Sequence, residues 1–86
     1  MALVQITPTQ ARVQWDHHSA LPVAVRFAHR RLTVTSVDAV RDETAASPLG
    51  LGPRVTYLVG TDAGRAALVF DARARRWFVE AFEAAA

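Results

Sequence analysis

The 86-residue chain contains no cysteine, no lysine and no asparagine. Without cysteine, disulfide staples, thiolate zinc sites and a cysteine nucleophile are all excluded. Its four glycines are scattered, so they form no phosphate-cradling loop. No window approaches eighteen apolar residues. The opening stretch MALVQITPTQ lacks a basic segment followed by an apolar run, so a cytoplasmic protein with no membrane contact is the expectation. Large apolar side chains are few as well: four Phe, two Trp, one Tyr, seven Leu and one Ile. Such a short chain makes one domain with a thin stability margin.

What the chain does have is eleven valines and seventeen alanines. Alanine contributes little area, so valine becomes the main core material, and its stiff β-branch fits a pleated surface. All ten basic side chains are arginine, set against eight acids, for a net charge of +2. The isoelectric point near 10.4 therefore reflects the arginine pKa rather than a large surplus of charge. Binding to phosphates depends on clustered cations, which a high isoelectric point does not guarantee.

From residue 22 onward the chain reads as strands divided by turns. In PVAVRF (22–27), Val23, Val25 and Phe27 alternate with Ala24 and Arg26. LTVTSVDAV (32–40) starts with the same period of two, then slips phase at Val37 and Val40, which predicts a bulge or bend near Ser36 to Asp38. TAASPLGLGP (44–53) is one long connection. RVTYLVGT (54–61), RAALVFD (65–71) and WFVEAF (77–82) complete the series, with TDAG (61–64) and ARAR (72–75) as turns.

The expected fold is all-β: a small antiparallel meander of five to six strands, an SH3-like barrel over residues 21–83 with a tail at 84–86. Residues 1–20 leave two readings open. LVQI (3–6) and ARVQWD (11–16) are two strands joined by TPTQ, or the whole segment lies across an open barrel end. Trp15 is expected to be pinned to the core. The tail EAFEAAA has helix propensity but is too short to hold a helix unaided.

Two arginine clusters and one leucine pair are the candidate contacts. DARARRWF (71–78) sets Arg73, Arg75 and Arg76 beside Trp77 and Phe78, where guanidinium groups could grip phosphates and a ring could stack on a base. Neighbouring strand residues point to opposite faces, so one of those two rings lies outside the core. RFAHRR (26–31) supplies Arg26, Arg30 and Arg31 at another hairpin. In an up-and-down meander these clusters fall at opposite ends of the sheet, about 20 Å apart along a six-residue strand, which excludes one compact patch but leaves room for a continuous groove. Leu49 and Leu51 in the long connection either fold back over a barrel end or dock another chain.

No constellation calls for catalysis. DHH (16–18) with His29 has ligand chemistry, but adjacent histidines on a strand diverge. The acids form no evident pair, and turn chemistry accounts for Asp62 and Asp71. Ser19, Ser36 and Ser47 lie in no nucleophile elbow. A non-enzymatic protein with no cofactor and no metal is expected.

The run from residue 21 to 82 resembles a family of small bacterial domains of unknown function, through RR (30–31), TDAG (61–64) and RWFVE (76–80). Members of that family are often encoded beside error-prone Y-family DNA polymerases. The resemblance therefore implies an accessory or adaptor role in DNA repair, with no catalytic residues, and Arg30, Arg31 and Trp77 as contacts. The leading expectation is a binding module with a protein partner, and homodimerisation is compatible with it. The alternative is a nucleic-acid binder using Arg26, Arg30, Arg31, Arg73, Arg75 and Arg76. A small ligand held in the barrel mouth is a third reading.

Overall fold

The period-two segments do become strands. A computed structural model describes residues 3–42 and 53–84. Six strands follow one another: β1 (Val4–Asp16), β2 (Leu21–Phe27), β3 (Arg30–Asp42), β4 (Arg54–Thr61), β5 (Gly64–Asp71) and β6 (Arg76–Ala84). Each pairs antiparallel with the next, and β6 returns to pair with β1, giving a closed six-stranded barrel consistent with the small SH3-like type. Among the described residues there is no helix.

The interior is built as the valine count predicts. Leu68, Val25, Val59 and Val79 are the largest fully buried side chains, with Leu32, Phe27, Ala11 and Ala66 packed around them. A six-stranded barrel has a narrow bore, and small alanines let its walls approach closely. Burial of one such Leu or Val side chain is worth about 1.5–3 kcal/mol.

The phase slip in β3 has the physical cause expected of it. The register against β4 shifts between Val34 and Ser36 and again between Val37 and Ala39. These irregularities bend the thirteen-residue strand, so its first residues pair with β2 while the rest pairs with β4.

The N-terminal segment is a single strand that runs through TPTQ. Its register against β6 shifts between Gln5 and Thr9, around Pro8, which has no N–H for the ladder. A second shift, between Gln14 and Trp15, falls where Pro22 of β2 is the partner. β1 closes the barrel, so the barrel begins at Val4 and residue 21 is not a boundary. The helix-favouring end of the chain is likewise taken into the sheet: Glu83 and Ala84 pair with Arg65 and Gly64. Pairing with β5 outweighs local propensity there.

In this up-and-down order the turns alternate between ends. Turns 17–20 and 72–75, together with Asp42 and Pro53, define one end, called here the upper end. Turns 28–29 and 62–63 define the lower end.

Candidate functional site

On β1, Ala11 and Val13 face the core, so Gln10, Arg12 and Gln14 between them face out. The same alternation turns Arg26 outward from β2, between buried Val25 and Phe27, and Arg31 outward from β3 beside buried Leu32. The registers bring these side chains together: Arg12 stands opposite Arg26, and Arg26 opposite Arg31. On the other flank Ala11 pairs with Trp77, so Arg12 and Arg76 follow the last pair of that ladder on neighbouring strands, and Arg76 donates to the Oε1 of Gln10 at 3.3 Å. The result is a row of four arginines on four adjacent strands, about 14 Å long at the usual strand spacing.

The row is oblique to the barrel axis because the strands of a closed barrel are staggered. Arg76 is the first residue of β6, at the upper end, whereas Arg26 and Arg31 flank the turn at the lower end. The two arginine clusters do lie at opposite ends, and Arg12 links them. Sequence reasoning missed Arg12. Its signal was available in the polar–apolar alternation of QARVQW.

Two open concavities flank the row. One, of about 460 Å³, is lined by Gln10, Arg12, Arg26, His29 and Arg30 among others. The other, of about 170 Å³, lies between Arg12, Gln14, Ala24, Arg26 and Arg31. Arg30 belongs to the inner side of β3 and lies over the Phe82 ring, 5.7 Å from its centroid, so it also covers the lower end of the core. Arg31 reaches the Oε1 of Gln14 at 3.5 Å.

Among the described residues no carboxylate stands opposite Arg12, Arg26 or Arg31, whereas Arg76 faces Asp71 across the β5–β6 ladder. Glu80 and Glu83 pair with Arg54 and Arg65 on the β4–β6 side of the barrel. Asp62 accepts from the Thr33 N–H, and Asp38 accepts from the Ser36 hydroxyl. Asp71 accepts the N–H groups of Arg73 and Ala74, which builds the turn that carries Arg73 and Arg75. Asp16 caps turn 17–20 in the same way, accepting from the His18 N–H and the Ser19 hydroxyl. Those bonds hold its carboxyl below the ordinary 3.8, the His18 N–H being the largest cause.

At the upper end four rings meet. Trp77 is 5.2 Å from Phe70, 5.5 Å from Tyr57 and 6.0 Å from Trp15 between ring centroids, and Trp15 meets Tyr57 edge-on at 5.8 Å. All are half-buried, and with His17 they line an open concavity of about 330 Å³. Trp77 thus faces the barrel mouth, and Phe78 is the ring on the outer wall, in a groove with Pro8, Arg54, Val69 and Glu80. Phe70 and Tyr57 were not singled out from the sequence, although their strands' alternation places both inward.

Arg73 and Arg75 are exposed on turn 72–75, at the rim beside this mouth. Leu49 and Leu51 lie outside the described residues. Among the described residues, no three His, Asp or Glu side chains come together in a way that could hold a metal ion. The chain matches no family model, no curated protein and no solved structure, so the family resemblance rests on its quoted motifs alone.

Proposed function

We propose that the protein is a non-enzymatic binding module whose outer wall holds the sugar–phosphate backbone of nucleic acid. The observation that carries this reading is the row Arg76, Arg12, Arg26 and Arg31, four guanidinium groups on adjacent strands, of which only Arg76 has a carboxylate, Asp71, across the ladder. Like charges directly opposite on a sheet repel. An anionic polymer supplies what the wall lacks, and planar guanidinium forks suit phosphate oxygens. An accessory role in bacterial DNA repair, as the family resemblance implies, fits such a module.

A protein partner is the second reading, favoured by the apolar lining of the upper mouth. It leaves the arginine row without a role.

The test is titration with a labelled 12-nucleotide DNA strand at several salt concentrations. Release of counterions from three or four phosphates gives a slope of log K against log salt of about −2 to −3. Arg12→Ala together with Arg26→Ala should flatten that slope by about 1.4. Absence of binding at low salt, or a slope that both substitutions leave unchanged, overturns the reading.

A further inference from the structure

We infer that the aromatic mouth at the upper end takes one unpaired base from a strand lying on the arginine row, so that the ligand is single-stranded nucleic acid. This rests on the backbone-binding reading above and adds what the row alone cannot specify.

Three observations converge. The first is continuity. The upper end of the row is Arg76, and the next residue, Trp77, is the central ring of the mouth, in contact with Trp15, Tyr57 and Phe70. A chain whose phosphates follow the row upward therefore arrives at the rim where those rings open to solvent.

The second is the chemistry of the lining. Trp15, Tyr57, Phe70 and Trp77 offer ring faces and edges, with His17 at the rim, in about 330 Å³. That volume is near the lower end of the range for small-molecule pockets, about 300–1,000 Å³. Every base has a π-face, so aromatic platforms of this kind bind bases with little regard to sequence.

The third is charge. Arg73, Arg75 and Arg76 belong to the turn and strand start at this rim. Against these three arginines stand Asp16 and Asp71, which accept N–H groups of their own turns, Asp71 also being the ladder partner of Arg76, and Asp42 at the end of β3. A cationic guest of the kind held by aromatic cages meets repulsion here, and an apolar peptide gains nothing from the row. A base carried on an anionic backbone is complementary to both parts. A duplex keeps its bases stacked and paired, and extracting one costs free energy, so duplex is the poorer ligand.

Both tryptophans of the chain are in the mouth, so intrinsic fluorescence reads this site directly. The experiment titrates the whole protein with four probes: a 12-nucleotide DNA strand, its duplex, an abasic strand of equal length, and a proline-rich peptide. The expected result is fluorescence quenching by the base-bearing strand. Affinity for the abasic strand should be about 5- to 160-fold weaker, with the same salt slope, because one stacked base is lost and no phosphate. Phe70→Leu, which keeps apolar bulk in the wall, should lessen the quenching without altering the salt slope.

Equal affinity for base-bearing and abasic strands with no fluorescence change overturns the inference while the backbone reading stands. Equal or tighter binding of the duplex overturns it as well. Quenching by the peptide but not by the strand assigns the mouth to a protein partner and also overturns it. No binding of any nucleic acid at low salt removes the backbone reading and this inference together.

Discussion

Arg12 on β1 and Arg26 on β2 stand directly opposite each other on the outer wall of the barrel, and neither has a carboxylate across the ladder to offset it. This juxtaposition is unfavourable for the free protein. It links the stability of the fold to the charge of whatever covers the wall.

Arg26→Thr should therefore stabilise the isolated protein at low salt, by about 0.2–1 kcal/mol, since it removes two like-charge cross-strand contacts and keeps a β-branched side chain in the strand. Screening should shrink the gain at high salt. Urea denaturation of wild type and variant at two salt concentrations reads both effects. A variant less stable than wild type at low salt contradicts the repulsion.

The turn between β2 and β3 is a two-residue connection, Ala28 and His29, with φ of 50° and 62°. Both values are left-handed, as a type I′ turn demands; alanine does not suit that region, and histidine, though enriched there, enters it less readily than glycine. Replacing the pair by Asn-Gly should raise stability by about 1–2 kcal/mol, measured as a shift in the urea midpoint at constant slope. An unchanged midpoint means that the strain is absent.

Gly60 lies opposite Ser36 at the bend of β3, and a methyl group added to it would come within 2.6 Å of the Ser36 hydroxyl. That hydroxyl donates to Asp38 and can rotate away. Gly60→Ala alone should cost about 0.5–1.5 kcal/mol, the range for a displaced rotamer and a lost exposed hydrogen bond. In a Ser36→Ala background the same change should be close to neutral. A double-mutant cycle with no coupling between the two positions would refute the contact.

The carboxyl of Asp16 titrates below its ordinary 3.8 because the His18 N–H and the Ser19 hydroxyl bond its charged form. A depressed folded-state value means that the group supports turn 17–20 above pH 3.8. That support is lost as pH falls through the lower, folded-state value. NMR titration of the Asp16 side chain should find its midpoint under 3.8, and Ser19→Ala should raise it. A midpoint at or above the ordinary value means that the cap is not formed.

Much of the barrel was legible in the residues. Val23, Val25 and Phe27 announce β2 by alternation, and Val37 announces the bend by breaking it, because period-two patterning is written directly into a strand with one buried face. β1 was harder to read. Pro8 interrupts it and Gln10, Arg12 and Gln14 dilute it, and its place in the barrel depends on pairing with β6, more than sixty residues away in the chain. The candidate site was half legible for the same reason. Arg26 and Arg31 are neighbours across a short hairpin, but the step from Arg76 to Arg12 exists only through long-range register. Trp77 and Phe78 were known to face opposite ways, and only closure of the barrel decides which one enters the mouth.

That closure also governs how the chain reaches its native state. Of the six strands β1 is made first and β6 last, so a nascent barrel exposes the unpaired edges of β1 and β5 until β6 emerges. Those edges are templates for pairing with another molecule. Folding dominated by such distant partnerships is expected over milliseconds to seconds. A chain cut before Arg76 should aggregate rather than remain a smaller soluble sheet.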